Sequence, residues 1–138
     1  LTVFTVTGSV LVLGIWGEVT VAISSNHTAG HLRTNDQTAT VDLTEAATGA
    51  TLSSMAIGTL IYKESLLAVA LMVKNNSAAR IEEPASAGQP SMTPFVVTKK
   101  TAAATTIDYR YTSTNTPATG AVKWHALWIP LSDDGNLA

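Results

Sequence analysis

Residues 10–24 read Val-Leu-Val-Leu-Gly-Ile-Trp-Gly-Glu-Val-Thr-Val-Ala-Ile-Ser, and the two halves of this stretch follow different rules. From Glu18 onward, side chains alternate. Val19, Val21 and Ile23 fall on one face, and Glu18, Thr20, Ala22 and Ser24 on the other. Period two is the repeat of a strand with one side on a core and one in water. Val10 to Ile15 has no polar face, as expected of a central strand covered from both sides or of one at a subunit contact. Between the halves, Trp16-Gly17-Glu18 reads as a bend or bulge, with glycine supplying the special backbone angles.

Working outward, Val3 to Ile23 becomes strand, turn, strand, punctuated by Gly8, Gly14 and Gly17. The first 17 residues are uncharged, yet Thr2, Thr5, Thr7, Gly8 and Ser9 interrupt the apolar positions and no basic segment precedes them, which reads as strand and not as a signal peptide. Ser24 to Asp36 is rich in Ser, Asn, His, Gly and Thr and reads as a loop. Alternation resumes over Thr38 to Leu43, with Ala39, Val41 and Leu43 against Thr38, Thr40 and Asp42. Glu45, Ala46 and Ala47 suit a short helical turn stopped at Gly49. Ile57 to Tyr62 and Leu66 to Val73, separated by Lys63, Glu64 and Ser65, suit a hairpin.

Lys74 to Pro94 loses the apolar signal, and Pro84, Gly88, Pro90 and Pro94 oppose regular structure. Such a segment is either an arm laid on a neighbour or a surface loop. Phe95 to Val97 and Thr106 to Thr112 return to strand, the latter with Ile107, Tyr109 and Tyr111 alternating with Asp108, Arg110 and Thr112. Asn115 to Gly120 is a turn, with Pro117 and Gly120 as its turn residues. The longest clear strand is the last, Ala121 to Leu131. Val122, Trp124, Ala126 and Trp128 share one face, and Lys123, His125, Leu127 and Ile129 the other. Pro130 cannot donate to a ladder, so the strand's end lies at an edge or leaves the sheet there, and Ser132 to Asn136 closes the domain with turn residues. About eight strands without an amphipathic helix predict a single-domain β-sandwich, most simply a jelly roll, whose first and last strands lie close together.

Composition narrows function. The 138 residues suffice for one domain with its own core. There is no cysteine, hence no disulfide, thiolate nucleophile or Cys-based metal site. Eight Lys and Arg, adjacent only at Lys99-Lys100, against ten acids give a net charge of −2, without the basic stripe that nucleic acid requires. The longest apolar run, Leu66 to Val73, falls far short of the roughly 20 residues that cross a bilayer as a helix. Only 13% of residues are charged while 46% are hydrophobic, so the surface is either covered by neighbouring subunits or kept wet by hydroxyls and small residues, and the bulk reading is an all-β domain suited to assembly.

No pattern points to catalysis. His27 and His31 stand four apart, but Gly30 and polar neighbours argue against a metal-binding helix and for loop histidines. His125 has no nearby nucleophile or acid and reads as a packed or interface histidine. Glu82 and Glu83 are neighbours that point apart, and Asp133-Asp134-Gly135-Asn136 lacks the ligand spacing of a calcium loop. Asn26-His27-Thr28 and Asn75-Asn76-Ser77 match the glycosylation pattern, which arises readily by chance in a chain this rich in Asn, Ser and Thr. Trp16, Trp124 and Trp128 suit either a sugar-stacking platform or core and interface packing. Neither a cofactor nor a metal ion is expected.

Phe4-Thr5-Val6-Thr7-Gly8-Ser9-Val10, Trp16-Gly17-Glu18-Val19-Thr20, Gly120-Ala121-Val122-Lys123-Trp124 and Trp128-Ile129-Pro130-Leu131-Ser132-Asp133-Asp134-Gly135 resemble a family of small virion structural proteins of tailed bacteriophages. The resemblance covers about a third of the chain, at its two ends. It implies a head decoration, or cement, protein on the outer surface of the phage head. Such proteins are β-rich and commonly trimeric, and bind the major capsid protein at local threefold or twofold positions without enzymatic activity. A tail, fibre or baseplate component and a carbohydrate-binding β-sandwich are the alternatives. Under the decoration reading, contacts are expected at Val10, Val12, Trp16, Trp124 and Trp128, and at Pro84 and Pro90 on the arm.

Overall fold

The computed structural model describes residues 1–44, 53–62, 72–74, 93–100, 103–113 and 119–138. They contain ten strands: β1 (Thr2–Thr7), β2 (Ser9–Val21), β3 (His27–Asn35), β4 (Thr40–Asp42), β5 (Leu60–Tyr62), β6 (Met72–Lys74), β7 (Phe95–Thr98), β8 (Thr105–Ser113), β9 (Ala121–Pro130) and β10 (Asn136–Leu137). No helix occurs among the described residues. The strands form a β-sandwich of two antiparallel sheets. The first sheet runs β10-β1-β8-β3-β4. In the second, β9 lies along one side of β2, while β7 and then β5, with β6 beyond it, occupy the other.

The pairings β1 with β10, β2 with β9, β3 with β8 and β5 with β6 are nested, as in a long hairpin folded over on itself. That nesting is the jelly-roll-like feature of the fold. It also ties the two ends of the chain together, with Val6 opposite Leu137 and Thr7 opposite Asn136. Leu137 and its short strand lie beyond the closing turn and have no counterpart in the sequence reading.

Between the sheets lies a core led by Val6, Val10, Val12, Val19, Leu32, Met55, Ile61 and Ile107, each at most 1% exposed. The half-buried Val122, Trp124, Ala126 and Trp128 of β9 pack against it, as their shared face requires. Ile107 and Tyr109 of β8 also enter the core, with Tyr111 packed beside them.

The chain passes from the first sheet to the second at Gly8, whose φ of +55° favours glycine. A Cβ there would overlap Ser132 Oγ and Asp134 Oδ1. These side chains belong to the turn by which β9 returns to the first sheet. Ser132 Oγ accepts the Ser9 N–H at 2.8 Å and donates to Asp134 Oδ1 at 2.8 Å, so the two crossings are stacked and bonded to each other.

Ser24 to Asp36 is not the continuous loop expected, because His27–Asn35 forms β3, an interior strand of the first sheet between β8 and β4. Its small and polar residues carry little strand signal of their own, and pairing with β8 and β4 on its two sides supplies the order. The register shifts between Thr28 and His31, where Ala29 has a φ of +52°. Trp16-Gly17-Glu18, expected to bend, is continuous strand, and the irregularities of β2 lie at Val12/Gly14 and Val19/Val21. Gly17 is a packing glycine: an added Cβ would come within 2.7 Å of Val122 Cγ1 and 3.2 Å of the Trp124 ring.

The shift after Val19 turns Val21 outward, to 54% exposure, while Ile23 stays buried. Val41 is likewise exposed, because β4 is an edge strand and the chain turns inward only at Leu43, whose N–H donates to the Leu32 carbonyl. Ile57 sits in an exposed turn before β5. The helical turn at 45–49, the segment 63–71 and the turn at 115–118 lie outside the described residues, as does the arm or loop from 75 to 92.

Candidate interaction face

Residues opposite each other on antiparallel neighbours project to the same side of a sheet. Val10, Val12, Ile15, Gly17 and Val19 of β2 point into the core, so the intervening residues and their cross-strand partners form the outer face of the second sheet. One row across it is Val96, Leu11 and Ile129, followed by Gly14 with Leu127 and then by Tyr62, Trp16 and His125. The next row is Leu60, Glu18 and Lys123. Exposure is 57% at Val96 and Leu127, 46% at Ile129 and 40% at Trp16. The Trp16 and His125 rings stack with centroids 5.4 Å apart and planes 10° from parallel. Among the described side chains of β2, β5, β7 and β9, Glu18 and Lys123 are the only carboxylate and ammonium on this face.

The outer face of the first sheet has the opposite character. His31 lies opposite Arg110, Arg33 opposite Asp108 and Asn35 opposite Thr106, with Asp42 beside them on β4. Asp108 accepts hydrogen bonds from Thr106 Oγ1 at 2.7 Å, Asn35 Nδ2 at 3.2 Å and Thr2 Oγ1 at 3.3 Å, and Arg33 Nη2 stands 3.9 Å from it. Burial pushes its carboxyl up, but the hydrogen bonds outweigh that and hold it below the usual carboxylate range. His31 Nε2 lies 3.7 Å from Asp42 Oδ1. Charged and hydrogen-bonded side chains thus cover one sheet, whereas leucine, isoleucine, valine and tryptophan cover the other.

Apart from these two faces, a concave feature lies where the starts of β1, β3 and β9 meet the end of β8. There a cavity of about 370 Å³ is lined by His27, Tyr109, Tyr111 and Trp124 together with the start of β1 and of β9. His27 stacks on Tyr111 at 4.7 Å and on Tyr109 at 5.6 Å, and Tyr109 Oη is hydrogen-bonded to His27 Nε2 at 2.9 Å. Burial, and after it the neighbouring Tyr111, push the Tyr109 hydroxyl well above the usual phenol range. His27 therefore faces the interior while His31 faces the polar outer surface; four residues apart on a regular strand they would share a face, and the register shift between Thr28 and His31 separates them. No group of three or more His, Cys, Asp or Glu side chains that could hold a metal ion is assembled among the described residues.

The residues expected at contacts divide accordingly. Trp16 is on the open face. Trp124 and Trp128 point to the other side of the sheet, opposite Gly17 and Val12, so the three tryptophans do not make one stacking platform. Val10 and Val12 are fully buried, and it is the chain's own first sheet, not a partner, that covers them. Pro84 and Pro90 lie outside the described residues. Leu11, Val96, Leu127 and Ile129 are absent from the expected contacts, although the sequence contains the signal: Leu127 and Ile129 are large apolar residues on the side of β9 that carries Lys123 and His125. No family model, curated protein or solved structure matches the chain.

Proposed function

We propose that this chain is a structural protein of a tailed-bacteriophage virion, a decoration protein that binds the outer surface of the head and reinforces it, with no catalytic role. The observation that carries the reading is the unequal covering of the two sheets: an apolar outer face flanked by one acid and one base is suited to burial against protein. A second feature supports the phage context. The segments that carry the family resemblance lie far apart in the chain, yet they are neighbours in space, with Gly17 opposite Trp124 and Glu18 opposite Lys123. Trp16–Thr20, Ala121–Trp124 and Trp128–Pro130 meet in the second sheet, whereas Phe4–Thr7 lies in β1 of the first.

Attachment then comes from many modest contacts repeated over the shell. Immunogold labelling of purified particles with an antibody to this chain tests the placement. Label over the head surface is expected; label confined to tails moves the chain to the tail, and absence of label from particles overturns the reading.

A further inference from the structure

We infer that the apolar outer face of the second sheet is occupied by the same face of a second copy, related by a twofold axis that runs parallel to the strands between β2 and β9. The inference deepens the functional reading and rests on the same face, naming its occupant. Its basis is charge placement. Glu18 on β2 and Lys123 on β9 are side by side in one row. A twofold axis between the two strands exchanges their columns and keeps the rows, so each Glu18 comes to face the partner's Lys123 and each Lys123 the partner's Glu18.

The same operation sets Leu11 against the partner's Ile129 and brings the two Trp16 and His125 stacks together in one row. Aligned sheets pack about 10 Å apart, a gap that the long Glu and Lys side chains span from both sides. No other occupant is required to supply matching charges, because the face is complementary to itself, and a self-complementary face closes as a twofold pair.

Area sets the strength. Because the axis runs between β2 and β9, only these two strands face their counterparts, and two strands at about 4.8 Å spacing with nine residues at about 3.3 Å give roughly 10 Å by 30 Å, about 300 Å² a copy and 600 Å² in the pair. That lies below the standard range and belongs to weak, concentration-dependent association. Many copies held on one shell would favour it by mass action. The trimer implied by the family resemblance would have to close through other surfaces.

The test is sedimentation equilibrium of the full chain from about 1 µM to 1 mM, a range chosen to bracket weak association. The wild-type protein is expected to pass from monomer to dimer, and Glu18→Lys or Lys123→Glu alone to weaken the dimer about tenfold or more, each placing two like-charge contacts in the interface. An equimolar mixture of the two variants is expected to associate as a heterodimer at near wild-type strength, because both contacts are then of opposite sign. Intramolecular effects of either change cannot produce that rescue, and circular dichroism of each variant checks its fold.

A chain that stays monomeric to about 1 mM overturns the pairing, as does a dimer or trimer indifferent to both substitutions, or a mixture that is not rescued. A monomer that still labels heads leaves the decoration reading standing with the capsid as the occupant. A rescued heterodimer whose wild-type parent labels no particle overturns the decoration reading and leaves the pairing.

Discussion

Replacing Gly8 with alanine attacks the corner at which both ends of the chain change sheets. Its φ of +55° costs an L residue about 1–2 kcal/mol. The new Cβ would also occupy the space of Ser132 Oγ and Asp134 Oδ1, which must move. Moving Ser132 gives up the 2.8 Å bond from the Ser9 N–H, a further loss of about 1 kcal/mol. The sum is about 2–3 kcal/mol, a large share of the stability of a domain this size. Urea unfolding followed by tryptophan fluorescence measures it. The collision is specific, so a cycle with Ser132→Ala adds a second check. That change removes one obstacle and frees Asp134, leaving the backbone strain, and the two substitutions are expected to be non-additive by about 1 kcal/mol. A Gly8→Ala protein within about 0.5 kcal/mol of wild type would show that this corner is neither strained nor tightly packed.

Ile107, at 0% exposure in the core, is expected to cost about 2–5 kcal/mol on change to alanine, read as a lowered urea midpoint. Tyr109→Phe keeps the ring stack and loses the hydrogen bond with His27 Nε2; the expected loss is about 1–2 kcal/mol by the same measurement. Backbone N–H groups of Ala39 and Thr38, and then Lys100, hold the Asp36 carboxyl down at about 2 against an ordinary 3.8. Because the folded value is the lower one, this carboxylate stabilises the protein above about pH 4 and the contribution is lost as pH falls from there toward 2. Urea midpoints for Asp36→Ala are expected to fall less steeply than wild type over that interval, and an unchanged slope would contradict it.

The strands most legible in the sequence are those whose large side chains supply the pattern. Val122, Trp124, Ala126 and Trp128 alternate in β9 and pack inward together, and Ile107 and Tyr109 do the same in β8. β3 is illegible because His27-Thr28-Ala29-Gly30-His31 holds only small or polar residues beside its histidines, and its strand conformation comes from β8 and β4 rather than from itself. Glycine misleads in one place and not in another. Gly8 is at a true corner, whereas Gly17 is mid-strand because the Trp124 ring needs the room, a tertiary cause that local sequence does not record. Alternation misplaces Val21 for a related reason: the register against β9 shifts after Val19 and turns Val21 outward, and Ile23 is buried again beyond it.

The interaction face is half legible. Trp16 is among the expected contact residues and lies on that face. Val10 and Val12 alternate with Leu11 in a stretch whose two sides are both apolar, so hydropathy alone does not separate core from surface there. Only the presence of the first sheet over one side decides which is which.

The proposed reinforcement of a phage head from outside is tested most directly by heat release of DNA from heads. Heads carrying the chain and heads stripped of it are warmed in parallel while a DNA-binding dye reports release. Decorated heads are expected to release their DNA at a higher temperature, and adding back the purified chain to restore the difference. Equal release temperatures for heads with and without bound chain would contradict the claim.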